Sequence, residues 1–201
     1  MGAPAPHYPG PSGEIRRYVP VRDAEASLSA DIVELIMADH RRIRRLCRAV
    51  YDTARQGGPP GPDWMLRHVW QRLADLLVAH TQAEEQTCYA YGPGTDPHAS
   101  WPMRDPLADH EDIRKLVGEA ARHPVGSAPW WHAVSTVIKV STEHHEREER
   151  DILPRYVAGL GLSRRKELGR QWCAFMATWP FDGASRGRER GHGPEESRDE
   201  G

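Results

Sequence analysis

Two nine-residue stretches, ADHRRIRRL at 38–46 and ADHEDIRKL at 108–116, carry Ala, Asp, His, Ile, Arg and Leu in the same places. Each is followed by a segment that reads H-x-x-x-E-E and then an apolar pair: HTQAEEQTCY from His80, and HHEREERDIL from His144. A chain that writes one helical phrase twice, and answers it twice with the same second phrase, is set to fold as two equivalent helical hairpins. A bundle with approximate two-fold symmetry brings their equivalent residues together.

The punctuation of the chain agrees. Ser29 is placed to cap a first helix over 30–55, which QGGPPGP stops. A second helix starts near Pro62 or Asp63, carries Leu66, Val69, Leu73, Leu76 and Leu77 on to Cys88, and is broken by YGPGTDPHASWP. Asp105 and Pro106 form an N-cap and first-turn pair for a third helix that ends by His123 and Pro124. Ser127 opens a fourth, expected to stop near Pro154 because proline removes a donor and crowds the preceding turn. Ser163 opens a shorter fifth, closed by Pro180. No segment alternates with period two, so the expectation is an all-α protein, an antiparallel up-down four-helix bundle with an accessory C-terminal helix. That last helix, amphipathic through Leu168, Trp172, Phe175 and Met176, either covers the bundle or pairs with a second subunit, leaving monomer and homodimer both open.

With 201 residues and 38% apolar content the chain suits one core. The Pro- and Gly-rich residues 1–28 and the polar residues 181–201 read as flexible tails, with the folded unit over 29–180. A net charge of −2 gives no bulk attraction to nucleic acid or an anionic membrane. Cys47, Cys88 and Cys173 form no CxxC pair, which argues against a disulfide framework and a thiolate zinc site and for a reducing, cytoplasmic setting. No signal-peptide core or membrane-spanning run is present.

Within helices 2 and 4 the residues four apart project from one face, so His80 with Glu84 and His144 with Glu148 are two-ligand claws. At about 100° per residue, His80 and Glu84 lie within roughly 30° of the centre of the apolar stripe of their helix. Glu148 sits at the centre of its own stripe and His144 about 40° away, whereas His145 and Glu149 lie about 60° and 100° off. The inward pair is therefore His144 and Glu148. His40 and His110 lie about 70° from their stripes, on the same flank in both helices. A buried carboxylate is costly unless paired or bound to metal, and here two arrive with four histidines. Imidazole and carboxylate without thiolate suit iron, manganese or zinc, and two shared carboxylates suit a pair of ions. The bland alternative is a metal-free helical interaction module whose buried polar residues hydrogen-bond to one another. Asp39, Asp109, Glu85, Glu111 and Glu149 neighbour ligands in sequence and are candidates to orient imidazole N–H groups, although a 100° step turns most of them toward solvent. Arg41, Arg42, Arg44, Arg45 and Arg48 read as a solvated face, and Arg44 and Arg114 as incidental to the metal.

The order His-x-x-x-Glu differs from the Glu-x-x-His of ferritin-like bundles. Through ADH, HTQAEE, ADHED and HEREERDILP, over about residues 30–155, the chain resembles the hemerythrin-like, HHE-domain family. The resemblance implies a non-haem centre of two iron ions, in preference to zinc or manganese, with a bridging oxo or hydroxo group. Its ligands are His40, His80, Glu84, His110, His144 and Glu148, the glutamates bridging. It implies a small ligand, dioxygen, peroxide or nitric oxide, handled by sensing, scavenging or storage. Oxygen carriers of the family have a further histidine where this chain has Arg114. Four histidines and two carboxylates leave about two of twelve positions for water or substrate once a bridging oxygen is counted. That keeps open an enzymatic alternative, a di-iron oxidoreductase such as a catalase-like one.

Overall fold

The computed structural model describes residues 30–56, 63–91 and 106–181. The expected tails, apart from Phe181, and the expected caps Ser29 and Asp105 lie outside the described residues. Every regular element among the described residues is helical: α1 Ile32–Gln56, α2 Asp63–Tyr91, α3 Pro106–Ala120, α4 Ala128–Arg147, a π-helical segment Glu148–Ile152, α5 Leu153–Gly159 and α6 Leu162–Thr178.

Cross-helix contacts fix the directions. His40 stacks near His145 and Tyr51 near Trp131, so α1 and α4 run antiparallel. Trp70 meets Trp130 and His80 meets His145, so α2 and α4 run parallel. Glu85 reaches His110 and Thr81 reaches Arg114, so α2 and α3 are antiparallel. Up, down, up, down follows.

Each helix enters the core through its own period. On α1 Ile32, Ile36, Ile43, Cys47 and Val50 are buried, and the gap in that stripe is filled by Asp39 and His40. On α3 Ile113, Val117 and Ala120 continue a stripe begun by Asp109 and His110. The C-terminal half of α2 is buried nearly all round, Leu76 to Ala79 on one turn and His80 to Glu84 on the next. The reason is α6, which packs on α1 and α2 and closes the side that a four-helix bundle would leave wet. Of the two roles open to that helix, covering the bundle is the one observed, with Leu168, Trp172 and Met176 fully buried. The approach is close at Gly169, where a Cβ would lie 2.1 Å from the Ala30 carbonyl oxygen.

Local details add to or differ from expectation. At the start of α1 the Asp31 carboxylate accepts from the Val33 N–H, at 3.0 Å, while also accepting from Arg165 at 2.7 Å. The α6 start precedes Ser163, with Gly161 as its N-cap. The helical path also does not stop at Pro154. The backbone widens into the π turn, the Leu153 N–H bonds the Glu148 carbonyl, and Pro154 falls in the first turn of α5, where no donor is required of it. At the other end of α4 the expected Ser127 cap is present, its hydroxyl accepting from the Trp130 N–H at 3.4 Å, after Gly126 turns the chain at φ 83°.

Candidate metal centre

The six residues singled out from the sequence meet in the middle of the bundle, each at most 1% exposed. Their Nε2 atoms pair off: His40 with His80 at 3.1 Å, and His110 with His144 at 3.0 Å. Glu84 lies between the pairs, with Oε1 3.4 Å from His80 Nε2 and Oε2 3.2 Å from His110 Nε2. Glu148 answers it from the other hairpin, Oε2 standing 3.3 Å from His40 Nε2 and 3.5 Å from His144 Nε2. Ligand atoms of His40, His80, His145 and Glu148 form one group within 4.8 Å of each other, and those of Glu84, His110, His144 and Glu148 form a second.

The outer nitrogens are held just as symmetrically. His40 Nδ1 faces Glu149 Oε1 at 2.8 Å, and its counterpart His110 Nδ1 faces Glu85 Oε1 at 3.0 Å. His80 Nδ1 faces the buried Asp39 at 3.8 Å, and His144 Nδ1 faces the buried Asp109 at 3.4 Å. Arg44 donates to Glu149 at 2.8 Å, as Arg114 donates to Glu85 at 2.6 Å. Arg147 donates to Asp109. Of the five neighbouring acids, Glu149 and Glu85 hydrogen-bond imidazole nitrogens, Asp109 and Asp39 are buried beside those of His144 and His80, and only Glu111, paired with Lys115 at 2.7 Å, stays outside. Arg44 and Arg114 are part of the centre too. Their side chains are long enough to cross from the helix flank to the glutamate, which a helical-wheel angle does not register.

His145 is the other correction. It was expected to turn away at about 60° from the stripe, yet it is 1% exposed. A helix facing two neighbours buries a wider arc than the centre of its stripe. Its ring lies 4.2 Å from His40 and 5.2 Å from His80. Tyr89, expected only as half of an apolar pair, donates its hydroxyl to Glu148 Oε1. Aligning the two halves of the chain on their H-x-x-x-E-E segments is the signal that finds both, since His145 stands opposite Thr81 and Tyr89 opposite Leu153.

The fit to a cation is chemical as well as spatial. Carboxylates facing each outer nitrogen call for hydrogen on Nδ1, which leaves lone pairs on Nε2. Two such lone pairs at about 3 Å repel unless a proton or a metal ion is shared between them. Both oxygens of Glu84 and Oε2 of Glu148 are buried without a hydrogen-bond donor, a costly arrangement that a shared cation relieves. The electrostatics of the site reflect the same crowding. Burial, reinforced by the charge of Glu148, pushes the Glu84 carboxyl up to about 8. Burial acts upward on Glu148 as well, but the neighbouring His144 and His40 outweigh it and hold that carboxyl well below its usual range. Burial works against the charged form of His40, yet the Glu148 and Glu149 carboxylates carry it up to about 9. Burial drives His145 well below the ordinary histidine value.

A family model described as the hemerythrin HHE cation binding domain matches residues 31–156, which span the whole centre. Comparison with curated proteins and with solved structures gives no match.

Proposed function

The chain belongs to the hemerythrin HHE cation-binding domain family, and on that premise we propose that it holds two metal ions, iron by preference, and binds a small ligand at them. The ligands are His40 and His80 on one side, His110 and His144 on the other, with Glu84 and Glu148 shared between them. One observation carries this reading: the two oxygens of Glu84 face opposite histidine pairs at 3.4 and 3.2 Å, neither meeting a hydrogen-bond donor. A carboxylate holding one ion or a proton has no need of that symmetry. Bound iron would supply one-electron redox chemistry and affinity for dioxygen, peroxide or nitric oxide. The protein's part is to fix the imidazole tautomers through Glu85, Glu149, Asp39 and Asp109 and to keep bulk water out. We read the functional unit as residues 29–180, since α6 closes the side of the bundle nearest His80 through Trp172, whose ring lies 5.4 Å from that histidine.

Aerobically purified protein is expected to contain about two irons per chain and to absorb in the near ultraviolet. Fewer than one transition-metal ion per chain refutes the reading. A second reading, peroxide breakdown, is supported by Tyr89. The hydroxyl of this half-buried residue holds a proton at Glu148 beside His110, whose ring is 5.5 Å away. Oxygen evolution from peroxide, lost in Glu84→Ala, separates an enzyme from a binding protein.

A further inference from the structure

The repeat that builds the centre also allows its two outer surfaces to be compared. Residues 41–50 of α1 and 111–120 of α3 share one pattern of burial, residue for residue, so equivalent side chains are exposed alike. Their charges differ. Around Arg44, which donates to Glu149, α1 carries Arg41, Arg42, Arg45 and Arg48, and around Arg114, which donates to Glu85, α3 carries Glu111, Asp112, Lys115 and Gly118. Four arginines give +4, whereas two acids and one lysine give −1. On α3 the Lys115 ammonium is paired within the helix, 2.7 Å from Glu111. Arg41, Arg45 and Arg48 are exposed and form no ion pair among the described residues. They follow one another at about one turn, over about 10 Å of helix. Like charges at this spacing work against a helix, and α3 keeps an equally exposed face without them. Arg44, in the middle of the run and 34% exposed, donates to Glu149 at 2.8 Å, and Glu149 in turn faces His40 Nδ1 at 2.8 Å. Two short contacts therefore lead inward from this face to a proposed metal ligand, across about the 10 Å thickness of one helix.

We propose that the Arg41, Arg45 and Arg48 face is the docking site of a small acidic protein that carries one electron, and that the electron is delivered there to the centre. The inference rests on the two-metal reading above. One electron passes from the reduced carrier to a metal ion in its oxidised state, which leaves the carrier oxidised and the ion reduced by one; no covalent bond is made or broken. The face suits a compact partner better than an extended polyanion. The run is short, exposed Glu34 and Asp52 bound it on the same stripe of α1, and the chain as a whole carries −2. Electron-transfer encounters bury little surface, below about 1,200 Å², and charge steers them. In keeping with that, none of the exposed large apolar side chains among the described residues lies on α1.

The test uses full-length protein, with an acidic iron–sulfur ferredoxin as the probe. Expected is saturable binding to metal-free and iron-loaded protein alike, weakening between about 0.01 and 1 M salt as the Debye length falls from about 30 to 3 Å. In a variant carrying Arg41→Glu, Arg45→Glu and Arg48→Glu, binding is lost. The rate at which reduced probe reduces the loaded, oxidised centre, taken relative to reduction of the same variant by dithionite, falls about 10–1,000-fold. Lys115→Glu, the α3 equivalent of Arg45→Glu, matches the parent in both measurements. No loss in the triple variant, or an equal loss in Lys115→Glu, overturns the inference. Should the triple variant fail to fold, Arg45→Glu alone against Lys115→Glu decides in the same terms. Tighter binding of duplex DNA or of anionic vesicles than of the probe at the same salt overturns it too, by giving the face another occupant. Absence of probe binding to metal-free protein sinks this inference alone, whereas fewer than one metal ion per chain sinks electron delivery together with the reading beneath it.

Discussion

Glu84→Gln is expected to stabilise the metal-free protein and destabilise the metal-loaded one. The carboxyl is buried against Glu148, with neither oxygen bonded to a donor, and is held at about 8 instead of 4.5. A carboxyl raised in the folded state is protonated there at pH 7 but ionised in the unfolded chain. It therefore works against folding above pH 4.5, by about 3 kcal/mol at pH 7. Glutamine has nearly the same shape and no charge to lose, and its amide can donate toward the Nε2 atoms of His80 or His110. Removing a cost of about 3 kcal/mol raises the melting temperature of a chain of this size by roughly 6–12 °C. With metal present the order reverses by up to about 1 kcal/mol, because the parent gains about 4 kcal/mol at a metal concentration 1,000 times Kd, which exceeds the head start of about 3 kcal/mol held by a variant that forfeits most of that gain. Melts followed by far-ultraviolet circular dichroism, in chelator and after anaerobic loading with Fe(II), give the comparison directly. A variant that melts below the parent in both conditions refutes the reasoning, since Glu84 would then be an ordinary structural residue.

Three further outcomes are expected. In the metal-free protein the His40 imidazole, raised to about 9, contributes stability that is complete below pH 6.5 and lost as the pH climbs through 9. That loss is on the order of 3 kcal/mol, Glu84 acts in the same direction up to about 8, and melts in chelator should therefore fall over pH 6.5–9 while those of loaded protein hold. Arg44→Ala frees Glu149 from one of its two partners and loosens the grip on His40 Nδ1, so competition with a chromogenic chelator should show metal affinity reduced about 10–100-fold with helicity intact. Arg114→Ala should match it through Glu85, and a loss confined to one of the two would count against the symmetric frame. Gly169→Ala drives a Cβ into the Ala30 carbonyl oxygen. The gain of about 1 kcal/mol in helix propensity is outweighed by about 1–3 kcal/mol of overpacking, so the urea midpoint should drop.

The fold was legible because its signals are local. Helix stops, the Ser127 cap and the apolar stripes of α1 to α4 depend on neighbours within one turn, and the repeat supplied the pairing of hairpins. The continuation through Pro154 was not legible, since the π turn that accommodates it is defined by a hydrogen bond from Leu153 to the Glu148 carbonyl and not by composition. For the same reason the groups beside the imidazoles were legible only as candidates. Glu149 lies about 100° from the apolar stripe, yet its carboxylate reaches His40 from the neighbouring helix. Helical angles report where a Cβ points; they say little about where the end of a glutamate or arginine arrives.

What the repeat contributes is a ruler. Residues that recur in both halves, Asp39 with Asp109, His40 with His110, Arg44 with Arg114, His80 with His144, Glu84 with Glu148 and Glu85 with Glu149, make up the symmetric frame, and every contact among them has its counterpart across the centre. Such a frame makes two like halves, against which the differences stand out. His145 stands where the other half has a threonine, its ring 4.2 Å from that of His40, and Tyr89 stands where the other half has a leucine, donating its hydroxyl to Glu148. The recurring letters thus account for the gathering of imidazoles and carboxylates in this bundle, and the pairs that fail to recur account for how its two sides differ.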